Sequence, residues 1–221
     1  MPRKDSALDV QPRHAPDLAD DLVPLTDPQE LLSDGPSGIS ERSLEGLTFE
    51  SLPATVLRFE SCVLTRVSFA GSILRGLRFK DVRLVSCSLA NVEARGLSMS
   101  RVEMTDCRLT GLRAVEAECQ DLLASDCEAR YAQFSSAVFK ASELTGCNFT
   151  EADFQGADLR RCRVGACNLQ DVELSGGRLA GTDLRGSNLA GLRVRPEDLR
   201  GATVDAAQAM VLAAIFGLRI A

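Results

Sequence analysis

The sequence predicts an all-β solenoid of very short strands, and three observations lead there. Apolar residues occupy all 32 positions spaced five apart from Phe49 to Val204. A companion position two residues earlier is small or aliphatic, as at Leu57, Val67, Leu77, Val92, Ala132, Ala137 and Val172, and carries a charge only at Glu197. A helix cannot hold this register, because a five-residue step carries a side chain well off its starting face at about 3.6 residues per turn. An extended segment can: residues i−2 and i point to the same side, and the remaining residues turn a corner.

The elements follow in chain order. Residues 1–43 lie outside the frame and hold prolines at positions 2, 12, 16, 24, 28 and 36, with nine acids against four bases. Low hydrophobicity with excess charge predicts a disordered acidic leader, with "DPQELLS" as one helical turn. A docking tail for a partner is the other reading. The solenoid then occupies 44–204. In its middle, Ala114, Cys119, Ala124 and Ala129 stand where Leu or Phe stands elsewhere. That predicts a loosely packed coil. Between Glu116 and Glu128 the chain carries Glu116, Glu118, Asp121, Asp126 and Glu128 and no base. These five are a candidate acidic belt for a partner, although charge runs are commonly plain solvated surface.

Residues 205–221 change period. Asp205 is the expected N-cap and Gly217 the expected C′ residue of an Ala-rich helix that is apolar nearly all round. A solenoid exposes an apolar cross-section at its last coil and needs a cap. The helix is expected to supply it, and Met210, Ala213, Ile215 and Phe216 are its candidate cap or dimer residues.

The segments "ADFQG", "ADLRR", "CNLQD", "TDLRG" and "SNLAG" resemble the pentapeptide-repeat family over about residues 44–204. The resemblance implies a right-handed quadrilateral β-helix of about eight 20-residue coils, capped by the C-terminal helix. It also implies a homodimer through that helix as an alternative to capping alone. The first half departs from the consensus Asp or Asn with Arg58, Arg78, Arg83 and Arg113, which are expected to face outward.

All eight cysteines fall on inward positions. Cys87, Cys107, Cys127, Cys147 and Cys167 are spaced by 20 and are expected to stack in one buried column. A straight ladder does not converge on a metal, and in-register neighbours about 4.8 Å apart are too far for a disulfide. The thiols are therefore read as small buried hydrophobes. On that reading Cys127→Ser costs about 1–3 kcal/mol, as a hydroxyl buried without a partner.

No catalytic constellation, cofactor motif or metal-ligand spacing is found in the sequence. The only histidine, His14, lies in the leader. The protein is read as non-enzymatic and cytoplasmic, with no signal peptide and no membrane span. Of the net charge of −6, the leader carries −5 and residues 44–221 carry −1. A near-neutral rod with few aromatics argues against direct nucleic-acid binding. Two functions remain. The first is an interaction or scaffold module for an unidentified protein partner. The second, implied by the resemblance, is a DNA mimic that binds gyrase, a type II topoisomerase, and protects it from quinolone-like inhibitors.

Overall fold

The computed structural model describes residues 10–27, 38–49 and 51–219. In chain order the strands are β1 (Val23–Leu25), β2 (Ile39–Ser40), β3 (Arg42–Glu45), β4 (Arg58–Thr65), β5 (Arg78–Val85), β6 (Ser98–Thr105), β7 (Glu118–Ser125), β8 (Val138–Lys140), β9 (Glu143–Thr145) and β10 (Arg163–Gly165). A helix, α1 (Ala206–Ile215), closes the chain. Every pairing between strands is parallel, and residue n sits over residue n + 20 from β3 to β10. Isolated bridges carry the same register from Arg163 to Asp183 and on to Thr203. Further ladders start at Ile39, Thr48 and Ile73, one for each remaining side of a four-sided rod.

Three of every five residues build this geometry. Positions i−2 and i form the core: Leu77 and Phe79, Val82 and Leu84, or Cys147 and Phe149 are all buried. The corner falls at i+2. From residue 61 to residue 191 every fifth residue has positive φ, whether glycine or not. Only Gly, and less readily Asn or Asp, takes that conformation cheaply. The ladder hydrogen bonds to both adjacent coils hold Ser61, Arg101 or Tyr131 there against their preference.

The frame fails at one expected core position. Ala54 is exposed, and Thr55 bridges Leu74 instead of a residue 20 away. Pro53 has no N–H for the ladder. Val56, a β-branched residue at the corner position, does not take positive φ.

The small residues in the middle do not leave a loose coil. Ala114, Cys119, Ala124 and Ala129 are buried, and larger neighbours above and below fill the space they leave. Met99 and Met104 lie on one side and Phe134, Phe139, Phe149 and Phe154 on the other, around a void of about 20 Å³. At ~24 cal/mol per Å³ such a void costs only about 0.5 kcal/mol. The rings of Phe134 and Phe154 stack at 5.0 Å, and nearer the N-terminus Phe49 stacks on Phe69 and Phe59 on Phe79 at 5.3 Å.

The described part of the leader is ordered, contrary to the expectation for 1–43. β1 pairs with β3, residues 38–43 already belong to the first coil, and residues 11–19 lie along one corner of the rod. Composition does not show this placement, because the leader's main-chain N–H groups donate to Asp121, Asp81, Ser61 and the Arg161 carbonyl, and such bonds do not register in hydrophobicity. The expected helical turn in "DPQELLS" falls, beyond Asp27, outside the described residues.

Helix α1 begins at Asp205, whose carboxylate accepts from Gln208 N at 2.9 Å while Gln208 Oε1 accepts from Asp205 N at 2.9 Å. This reciprocal pair is a capping box. The buried Gln208 amide also donates to Leu184 O at 2.6 Å and Ser187 O at 2.7 Å, satisfying carbonyls of the coil below. Gly217, at φ 80°, ends the helix, with Gly217 N donating to Ala214 O and Leu218 N to Ala213 O. That pattern is a Schellman motif.

Candidate functional site

With i−2 and i committed to the core, any site must be built from outward columns of residues spaced by 20. The five-residue step places Glu116, Asp121 and Asp126 on successive corners, so the acidic residues ring one coil and do not form a face. Glu116 pairs with Arg95 at 2.7 Å, and Glu128 with Arg130 at 3.0 Å and with the Asn148 amide at 3.1 Å. Asp121 is only 3% exposed and lies under the leader. Glu118 and Asp126 are exposed and make no ion pair among the described residues. The belt is thus dispersed and more than half engaged.

The rest of the rod follows the same rule. Arg83 meets Glu103 at 3.1 Å, Arg113 meets Glu93 at 2.7 Å, Arg193 meets Glu173 at 3.4 Å, and Lys80 and Arg66 meet Glu60 and Glu45. Each pair joins one coil to the next. Others close within one corner, as Arg185 with Asp183 at 2.9 Å. Such exposed pairs add little stability, but they interlace the two signs along the rod. Arg83 and Arg113, two of the departures from the consensus, are partners in these ladders.

One corner is different. Its column comprises Glu41, Ser61, Asp81, Arg101, Asp121, Ala141 and Arg161, and the leader runs over it. His14 N donates to Asp121 Oδ1 at 2.9 Å, with the His14 ring Nδ1 at 3.1 Å from the same oxygen. Asp17 N donates to Asp81 Oδ1 at 2.9 Å, and Ala19 N to Ser61 Oγ at 2.8 Å. Arg101 clamps Asp81 through both carboxylate oxygens at 2.5 Å, and Arg13 reaches Glu103 at 3.1 Å. Burial pushes both aspartates up in pKa. The Arg101 guanidinium and Asp17 N–H outweigh this at Asp81, and the His14 contacts and the Gln120 amide outweigh it at Asp121, so both lie below the ordinary value. Sequence reasoning missed this site. The signal was present in the 20-residue spacing of Ser61, Asp81 and Asp121, but nothing in the leader's composition pointed to it.

All eight cysteines are buried and free. In the column, each Sγ lies near two carbonyls, that of residue i−2 and that of residue i−23, as Cys147 does with Thr145 O and Ala124 O at 3.4 Å. Burial pushes the Cys119 thiol up to about 12 and the Cys162 thiol up to about 11. Among the described residues no group of three or more His, Cys, Asp or Glu could hold a metal ion, and no helix is long and apolar enough to cross a membrane.

Of the C-terminal candidates, Ile215 and Phe216 pack partly buried against the core and Ala213 is half-buried, while Met210 is 57% exposed. Leu212, not among the candidates, is the buried apolar anchor of the helix. Met210, Val211 and Leu218 are exposed.

A family model described as "Pentapeptide repeat region" matches residues 77–154, and one described as "Pentapeptide repeats (8 copies)" matches residues 167–196. Those two stretches are pentapeptide repeats, and the rod that holds them is a parallel-strand β-solenoid. No curated protein matches the sequence. Among solved structures, similarity extends to HetL, a pentapeptide-repeat protein involved in heterocyst differentiation regulation from the cyanobacterium Nostoc sp. It is 16% identical, with 75% of this chain and 86% of that chain covered and a TM-score of 0.32. QnrB1, a plasmid-mediated fluoroquinolone resistance protein, is 17% identical over 83% of this chain and 98% of that chain, with a TM-score of 0.32. A pectin methylesterase from Aspergillus niger scores 0.34 at 12% identity, over 86% of this chain and 84% of that chain. At these scores the likenesses carry no argument about activity or partner, and the pentapeptide-repeat rod must be read from its own surface.

Proposed function

We propose that this pentapeptide-repeat protein is a non-enzymatic interaction module, a rigid rod that offers its outward columns to a protein partner. The observation that carries this reading is the division of labour along the repeat. Inward positions are used up by the core, and outward ones lie in straight columns with both signs of charge interlaced. Columns spread polar groups along a line and do not converge them on one reacting atom, which catalysis requires. Eight free thiols fit a reducing compartment, and a cytoplasmic location is part of the proposal.

The gyrase-binding DNA mimic is the second reading. It needs a continuous negative face, and carboxylates paired across coils weigh against it. A homodimer through Met210, Val211 and Leu218 belongs to both readings.

The test captures partners on the intact chain and on four variants, each reversing two outward charges on one side of the rod. One side should account for binding. Capture that ignores all four variants, or none at all, removes the module reading. Inhibition of gyrase supercoiling, lost when Glu116, Glu118, Asp121, Asp126 and Glu128 become Gln or Asn, would replace it with the mimic.

A further inference from the structure

Residues 11, 14 and 17 of the leader meet Arg161, Asp121 and Asp81. Each step of three residues in the leader crosses 40 residues of the rod, which is two coils. Two coils at a strand spacing of about 4.8 Å span about 9.6 Å. Three residues of polyproline II helix, at about 3.1 Å each, span about 9.3 Å. The two repeats match. Pro12 and Pro16 hold the leader near that conformation before it docks. A polyproline II segment makes no internal hydrogen bonds, so its N–H groups are free to donate. On the rod, the acceptors are a main-chain carbonyl at Arg161 and carboxylates at Asp121 and Asp81. Carboxylates at another corner, Asp106 and Asp126, are exposed, whereas Asp81 and Asp121 are 5% and 3% exposed beneath the leader.

We propose that this corner is a binding face for an extended, proline-containing polypeptide read in three-residue steps, and that residues 11–19 occupy it as a detachable latch. Detachment is built into the contacts. Of residues 10–25 only Leu25 is buried, and it belongs to β1, which pairs with β3 at the end of the rod. The latch itself is held by hydrogen bonds and the Arg13–Glu103 ion pair, with no apolar side chain buried to anchor it. Asp20 and Asp21, between latch and β1, are exposed. The inference is independent of which partner the other columns meet.

The test uses the full chain with a specific protease site placed between Asp20 and Asp21. After cleavage the latch should leave on gel filtration while the rod stays folded. A labelled peptide of residues 10–20, VQPRHAPDLAD, should then bind the cut protein saturably and not bind the intact one. Inserting one glycine between Ala15 and Pro16 of the peptide breaks the three-residue step and should weaken binding at least tenfold. Asp81→Asn with Asp121→Asn in the cut protein should do the same. Hydrogen exchange on the intact chain provides a check without any variant: the amides of His14, Asp17 and Ala19 should exchange at least a hundredfold faster than rod ladder amides such as that of Asn148. The proposal is overturned by a cut latch that stays bound, a cut chain that unfolds, or a peptide that fails to rebind. Equal binding to intact and cut protein, equal binding of the glycine-inserted peptide or the aspartate variant, or latch amides as slow as the rod's also overturn it.

Discussion

Replacing Cys127 with serine tests how the core treats a hydroxyl. Sequence reasoning expects a cost of about 1–3 kcal/mol for a buried O–H without a partner. The structure argues for less, because serines already occupy equivalent inward positions. Ser187 continues the cysteine column one coil beyond Cys167; its Oγ donates to Val164 O at 2.8 Å and accepts from Cys167 N at 3.0 Å. Ser72 repeats the pattern, donating to Phe49 O at 3.1 Å and accepting from Leu52 N at 3.0 Å. In both, the acceptor lies 23 residues back and the donor 20 back. For position 127 these are Met104 O and Cys107 N, and Cys127 Sγ already lies 3.9 Å from Met104 O. Exchanging sulfur for oxygen forfeits roughly one methylene of apolar burial, about 0.8 kcal/mol. A satisfied hydrogen bond returns about 0.5–1.5 kcal/mol. The net change should stay within about 1 kcal/mol. Cys127→Ala forfeits the same burial, leaves a small void and makes no bond, so it should cost about 1–2 kcal/mol. Urea unfolding with an unchanged slope measures both. The usual core ranking, with serine worse than alanine, or a serine cost above about 2 kcal/mol, would refute the reasoning.

Other outcomes follow from the same structure. Met210→Glu should leave the fold and thermal midpoint intact and, if a second copy covers the outer side of α1, convert a dimer to a monomer in sedimentation. Phe216→Glu should instead lower the midpoint, since that ring packs on the core. Deleting residues 140–159 removes one coil and should give a shorter folded rod. Deleting 140–142 puts polar residues inward and should unfold the chain beyond it, read by circular dichroism and proteolysis. Hydrogen bonds from the Arg195 side chain, with further ones from Gly176 and Arg195 N–H, hold the Asp198 pKa down at about 2, below the ordinary carboxylate range. Its folded-state pKa is depressed, so its stabilisation is present above about pH 4 and is lost as pH falls toward 2. Asp198→Asn should flatten the acid limb of the stability curve in that window, and an unchanged limb would contradict it. Native thiols should react slowly with a thiol reagent and all eight quickly in denaturant, because burial keeps them covered.

The solenoid was legible from the one-dimensional pattern because its contacts are periodic. When residue n always meets n + 20, a five-residue step read along the chain is also a statement about space. The inward cysteines, the outward arginines and the capping helix with its Asp205 and Gly217 ends follow from that period and from local capping chemistry. The exception at Ala54 was readable in principle, since Pro53 lacks the N–H that the ladder uses.

Tertiary structure alone decided the surface. Whether Glu116, Asp121 and Asp126 form a belt or lie on separate corners depends on where the chain turns. Whether they are free depends on Arg95 and on His14, 107 residues from Asp121 in sequence. The leader shows the limit most clearly. Its composition predicts that it cannot bury enough apolar surface to fold alone. What orders residues 11–19 is a set of acceptors spaced by the rod, and a match between a three-residue rise and a two-coil spacing. Such a match exists only once the rod has formed, because it is a distance between coils and not a property of either segment.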